Sequence, residues 1–186
     1  MLKTIRDWLI TIFEAILLTI LLILFVAQSF LVEGYSMEPT LHNGERVLVE
    51  KLSYRLRKPK RGEIVIIQNP LQKKEKYIKR IIGVPGDFIE IKEGSVYLNG
   101  IILQEEYIAE PVAFWYNKYF LVPEGHVFVL GDNRNHSDDS RRIGPIPYDN
   151  ILGRVLFVYW PFENFEVIKL PTAIHLYEEE LANLVL

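Results

Sequence analysis

Tyr77-Ile78-Lys79-Arg80-Ile81-Ile82-Gly83-Val84-Pro85-Gly86-Asp87-Phe88-Ile89-Glu90-Ile91-Lys92-Glu93-Gly94-Ser95-Val96-Tyr97-Leu98 holds three apolar runs of strand length, parted by two groups of turn residues. Pro85-Gly86-Asp87 closes the first run, Glu93-Gly94 the second, and Asn99-Gly100 follows the third. Such short turns join antiparallel neighbours. The same pattern continues outward. Arg46 to Val49, Glu63 to Gln68, Val127 to Leu130 and Ile151 to Trp160 read as further strands. Asn43-Gly44, Asn69-Pro70 and Glu124-Gly125 separate them. Many short strands at this spacing predict an all-β, antiparallel domain, closed like a barrel. After residue 32, only Thr172 to Leu186 has helical character, with Thr172 as its N-cap.

Upstream the pattern is different. Ala15 to Val32 runs for eighteen residues without a charge, which as a helix covers about 27 Å, near the thickness of a bilayer's hydrocarbon. Trp8 to Phe13 extends the apolar stretch. A buried core helix would carry a polar face, and this run has none. Ala27-Gln28-Ser29 resembles a small-x-small cleavage site, but the run exceeds the usual core of a removable signal peptide. We therefore expect a transmembrane anchor over residues 8–32. Lys3 and Arg6 precede it and the next basic residue is Arg46, so the positive-inside rule keeps residues 1–7 in the cytoplasm and places the rest outside a cell membrane. The expected organisation is completed by a β domain over residues 33–170 and a tail over 171–186.

Composition removes several kinds of chemistry. The 186 residues contain no cysteine, which excludes disulfides, thiolate metal sites and cysteine nucleophiles. A net charge of -3 makes no case for a nucleic-acid partner. His42, His126, His136 and His175 lack metal-ligand spacing, so neither a metal nor an organic cofactor is expected. Two surface features stand out. Arg55, Arg57, Lys58, Lys60 and Arg61 put five positive charges into seven residues, a solvated loop or a contact for anionic lipid. Phe114, Trp115, Tyr116, Tyr119 and Phe120 form an aromatic cluster, read either as core or as a hairpin tip on a membrane interface, with Phe114, Trp115 and Phe120 assigned to the membrane.

Without cysteine, nucleophilic catalysis needs serine, threonine or lysine. Ser36 lies in Gly34-Tyr35-Ser36-Met37-Glu38-Pro39-Thr40-Leu41, where glycine and proline restrict the backbone on both sides. Taken alone, a serine in such a turn is ordinarily structural. Lys79 shares a strand face with Tyr77 and Ile81 by alternation; it is either a snorkelling edge residue or a buried group that readily loses its proton. Gly131-Asp132-Asn133-Arg134-Asn135-His136-Ser137-Asp138-Asp139-Ser140-Arg141 is a dense polar run directly after an apolar strand. An Asx-rich loop explains it, and a calcium loop fits less well.

Together these segments resemble the type I signal peptidases, in their Gram-positive-like branch. The motifs are Ser36 to Leu41, Arg61 to Val65, Tyr77 to Asp87 and Gly131 to Arg141, in that order behind an apolar N-terminal segment. The resemblance implies a membrane-bound Ser/Lys endopeptidase that removes signal peptides from exported preproteins after small residues. It implies Ser36 as nucleophile, Lys79 as general base and Ser137 as the hydroxyl that holds the lysine. Asp139 and Arg141 correspond to a supporting ion pair, and Asp132 to a structural position. Phe30, Val32, Leu41, Tyr77 and Ile78 correspond to pocket-lining positions. Signal peptides and membrane lipid are the implied partners. Gly34 stands where some members carry an oxyanion-hole serine, and Asn135-His136 departs from the family pair. Two other classes compete: a self-cleaving repressor-type peptidase, which needs a DNA-binding domain before Ser36, and an anchored β module without catalysis, which would tolerate Ser36→Ala and Lys79→Ala.

Overall fold

The computed structural model describes residues 2–184 along the backbone, and the side chains of residues 5–20 and 26–182. A helix α1, Leu2–Phe25, leads directly into strand β1, Ala27–Leu31. Then come β2 (Arg46–Glu50), a single helical turn α2 (Ser53–Leu56), β3 (Ile64–Gln68) and β4 (Lys76–Gly83). Next in the chain are β5 (Phe88–Lys92), β6 (Ser95–Leu98), β7 (Ile101–Ile102), β8 (Lys118–Leu121) and β9 (His126–Leu130). The remainder is α3 (Ser140–Ile143), β10 (Ile146–Pro147), β11 (Ile151–Trp160), β12 (Glu166–Val167) and α4 (Thr172–Leu184).

All strand pairings are antiparallel. The larger sheet runs β1-β2-β11-β3-β4-β9-β10, with β12 also beside β11; the smaller runs β7-β6-β5-β8. The β class expected from the turns is present, but among the described residues the strands form an open path and not a closed barrel. The large sheet is a curled half-barrel with β1 and β10 as its two ends. Both hairpins of the small sheet have the geometry their sequences ask for. Glu93-Gly94 and Asn99-Gly100 take positive φ at both positions, as a two-residue turn between right-twisted strands requires.

The expected span 8–32 is not one helix. The helix ends at Phe25, and Ala27 to Leu31 pairs with Glu50 to Arg46 of β2. The reason is alternation. Phe30 and Val32 turn into the core while Ser29 and Leu31 face out, a period of two that a helix cannot satisfy. The small-x-small triplet Ala27-Gln28-Ser29 is thereby held in a sheet. Among the described residues, no helix is long and apolar enough to cross a membrane. Part of the expected span, residues 21–25, and the side chain of Lys3 lie outside the described side chains.

Aliphatic clusters fill the interior. Val32, Met37, Leu41, Val47, Ile64 and Ile66 pack under the chain that follows β1. Ile82, Ile89, Val96, Leu98 and Phe128 join the small sheet to β4 and β9. Tyr177 of α4 completes this second cluster, and its hydroxyl is hydrogen-bonded to Asn99 at 2.7 Å.

Candidate active site

Ser36 sits in a tight excursion between β1 and β2. Gly34 enters it at φ +92°, a conformation open to glycine and costly for other residues, and its N–H donates to Asn43 Oδ1 at 2.9 Å. Met37 and Leu41 are buried and pin the turn to the core. Two bonds from the polar loop hold the backbone on the other side: Asn133 N–H to Ser36 O and Asn133 Nδ2 to Tyr35 O, each 3.1 Å.

Lys79 is central on β4, between β3 and β9, and only 2% exposed. Its Nζ donates to Ser36 Oγ at 2.7 Å and to Ile78 O at 2.9 Å, and lies 5.4 Å from the Tyr77 ring centroid. Burial depresses its pKa to about 8, against an opposing pull from Asp139, Asp138 and Asp132. No carboxylate forms an ion pair with it among the described residues, so the cost of desolvating the ammonium dominates. A serine hydroxyl thus faces a lysine whose neutral form is accessible near neutral pH. No histidine lines this cleft.

Gly131, where β9 runs into the polar loop, makes that approach possible. A Cβ there would overlap Ser137 Oγ and fall 2.5 Å from Ser36 O. Beneath the pair, Asp132 is fully buried and accepts both Nε (2.9 Å) and Nη2 (2.6 Å) of Arg80, as well as Thr40 Oγ1 (2.6 Å). One carboxylate therefore ties the Ser36 turn to the residue next to Lys79. Asp139 accepts Gly131 N–H at 3.1 Å and Arg141 at 2.8 and 2.7 Å, and Arg141 also reaches Arg134 O at 2.6 Å. Each arginine grips its carboxylate through two bonds and both carboxylates are fully buried, the arrangement in which removing one partner is costly.

A cleft of about 610 Å³ opens beside Ser36 and Lys79, walled by Phe30, Val32, Met37, Ile66, Tyr77 and Ile78. Four of the five expected pocket residues are therefore at its wall. Leu41 is not. It is fully buried beneath the Ser36 turn and packs in the core, because the turn folds its apolar end inward. Ser137 differs as well. Its Oγ is buried with no hydrogen-bond partner, and the acceptors of Lys79 Nζ are Ser36 Oγ and Ile78 O. Asn135 and His136 are exposed, and Asn135 bonds Glu110 and Pro111 instead of the cleft.

The aromatic cluster is split. Phe114 (77%), Trp115 (84%) and Tyr119 (76%) are exposed. Phe120 turns inward on β8, with its ring 4.7 Å from that of Phe128, so its expected place at a membrane is corrected by strand alternation. Thr40 and Gly131 lay inside quoted motifs without a role of their own, and Glu105 did not stand out in the sequence. Glu105 grips the buried Arg134 through two bonds, 2.5 and 2.6 Å, across a sequence gap that no local pattern reveals.

The profile of a family described as signal peptidase, peptidase S26, matches residues 5–160. The chain belongs to the signal peptidase family, peptidase S26. Among curated relatives, it is 45% identical over 156 residues to a probable signal peptidase I-2 of Synechocystis sp., covering 81% of this chain and 71% of that one. It is 41% identical over 166 residues to signal peptidase I of Bacillus licheniformis, covering 84% and 89%. A crystal structure of a signal peptidase I from Enterococcus faecalis V583 aligns with 33% identity over 53% of this chain and 97% of that one, at a TM-score of 0.48. The family match ends at residue 160, so β12 and α4 lie beyond it.

Proposed function

We propose that this signal peptidase family member is a membrane-anchored serine endopeptidase, in which Ser36 attacks the scissile carbonyl and Lys79 is the general base. The 2.7 Å approach of Lys79 Nζ to Ser36 Oγ inside a desolvated site carries this reading. Neutral Lys79 takes the hydroxyl proton as Oγ bonds to the carbonyl carbon. The Ser36 N–H stabilises the oxyanion, and Gly34 leaves that side of the turn without a side chain. On collapse the ammonium gives its proton to the leaving amine as the C–N bond breaks. The neutral Lys79 so regenerated takes a proton from a water whose oxygen bonds to the acyl carbon, and passes that proton to Ser36 Oγ as the acyl–Oγ bond breaks. A signal peptide lies extended along the cleft, its small residues fitting where Phe30, Val32 and Ile78 limit depth. Ser137 supports the lysine once substrate is seated, and the Asp139–Arg141 pair and Asp132 hold the loop. α1 and the apolar chain around it act as the anchor, with residues 1–7 cytoplasmic and the β domain outside the cell membrane.

Incubating the full chain with a preprotein and sequencing the product's N-terminus tests the reaction. Cleavage after a small-x-small segment is expected, and no cleavage by folded protein overturns it. Protease added to intact spheroplasts tests the topology: digestion of the β domain is expected, and protection until lysis reverses the orientation.

A further inference from the structure

The basic segment plays no part in the proposed chemistry. Lys51 to Arg61 contains six basic residues and no acidic one. Its position follows from connectivity. Val26, between α1 and β1, accepts a hydrogen bond from Lys51 N–H at 2.9 Å, and Ala27 pairs with Glu50. The segment therefore starts at the foot of α1. Leu56, between Arg55 and Arg57, is 85% exposed.

Leu56 lines a cleft of about 340 Å³ together with Arg55, Arg57, Lys58, Tyr148 and Asp149. The Tyr148 hydroxyl is buried and has no hydrogen-bond partner, a state that costs free energy unless something supplies an acceptor. Arg57 is satisfied by buried Glu63 and Lys58 is balanced by exposed Glu124. Lys51, Arg55 and Lys60 form no salt bridge among the described residues, so the surplus positive charge rests on them. Within the cleft Arg55 lacks a counter-charge and the Tyr148 hydroxyl lacks an acceptor, with exposed Leu56 beside them. A phospholipid supplies both at once.

We propose that the cleft between α2 and Tyr148 docks the headgroup of an anionic phospholipid, seating the peptidase domain on the bilayer beside its anchor. The proposal rests on the anchor reading above. Its consequence is geometric: Phe30, at the wall of the substrate cleft, is only four residues beyond Val26. A fixed α2 holds that cleft at a set height over the lipid from which substrates emerge.

The chain has no cysteine, so Leu56→Cys gives a unique labelling site. The labelled full chain is reconstituted into phosphatidylcholine vesicles with or without phosphatidylglycerol, each carrying a lipid-attached quencher. Quenching is expected to be strong only with phosphatidylglycerol. Arg55→Gln with Lys60→Gln should weaken docking roughly 10- to 30-fold, given the strength of single basic residues at an anionic surface, while preprotein cleavage in detergent stays unchanged. Tyr148→Phe should weaken it by a smaller factor. Equal quenching in both lipids, or none in either, overturns the proposal. So does a label response to inorganic phosphate, without phosphatidylglycerol, as large as the response to the lipid, which would make this a free-anion site. Flotation separates the two readings. A chain that floats only with phosphatidylglycerol vesicles keeps this site and loses the anchor, and one that floats with neither loses both.

Discussion

Lys79 on β4 and Lys92 on β5 are both strand lysines lying over a tyrosine ring, 5.4 Å from the Tyr77 centroid and 4.6 Å from that of Tyr97. Their chemistry is opposite. Lys92, at the surface of the small sheet, donates to Glu90, 2.9 Å away, and that bond raises its pKa. Lys79, inside the large sheet, has a hydroxyl and a carbonyl as its partners, and burial lowers its pKa to about 8. Both are lysines in strands, Lys79 inside β4 and Lys92 at the end of β5. Solvent and the presence of a carboxylate decide whether the amine is a fixed cation or a base.

The largest expected effect tests that contrast directly. Ser36→Ala and Lys79→Ala should each lower kcat for preprotein cleavage by about 10³-fold or more. Lys79→Arg should be equally inactive, because a guanidinium stays protonated. Lys92→Arg should stay within about twofold of the parent enzyme. Measurable turnover by folded Lys79→Arg would remove the lysine from the base role.

Gly131→Ala comes next. Its methyl group meets Ser137 Oγ and Ser36 O, and a misplacement of about 1 Å at reacting atoms can cost 10²-fold in rate. A fall in kcat of that order is expected, with circular dichroism reporting an intact fold. Unchanged kcat would mean that the Ser36 turn yields freely.

The aromatic segment offers a comparison within a few residues. Phe120→Ser should destabilise the protein by about 2–4 kcal/mol in a denaturant titration, since it empties part of the core against Phe128. Trp115→Ser should change stability by less than about 0.5 kcal/mol. Similar losses for both would show that the exposed tip is structural.

The smallest expected effect is in pH dependence. Neutral Lys79 increases as pH rises through about 8, so kcat/KM should climb along a single ascending limb there and then level off. Stability follows the same sign. The unfolded lysine binds its proton up to its ordinary pKa of about 10.4, whereas the folded one releases it near 8. Between those values the unfolded state holds more protons, and this group's contribution to stability rises with pH. Lys79→Met should flatten that rise and, at neutral pH, unfold at a higher denaturant concentration than the parent. Lys92→Met should leave both curves in place.

Much of the fold was legible because its signals are local. The Glu93-Gly94 and Asn99-Gly100 turns state their own φ angles, and the strands around them show their period. The contact between Ser36 and Lys79 was to be expected only through the resemblance carried by four motifs. Neither a serine in a Gly/Pro turn nor a lysine in a strand announces a partner 43 positions away. Misreadings arose where apolar composition alone was the guide. Residues 27–31 look like the end of a membrane helix, but the open edge of β2 draws them into the sheet. Leu41 was placed at the pocket by the family resemblance and not by composition, and here its turn points it inward.

By itself the sequence determined the antiparallel β class, the turn positions, the absence of thiol chemistry and the family. Each is set by residue identity over a few positions or by motifs in order. Only the tertiary structure decided which lysine is buried against a serine hydroxyl, which carboxylate ties Thr40 to Arg80, and which aromatic is core. It also decided that Gly131 must lack a side chain. Those properties depend on burial and on contacts across dozens of residues, and dielectric environment is a property of the packed molecule, which no stretch of sequence possesses.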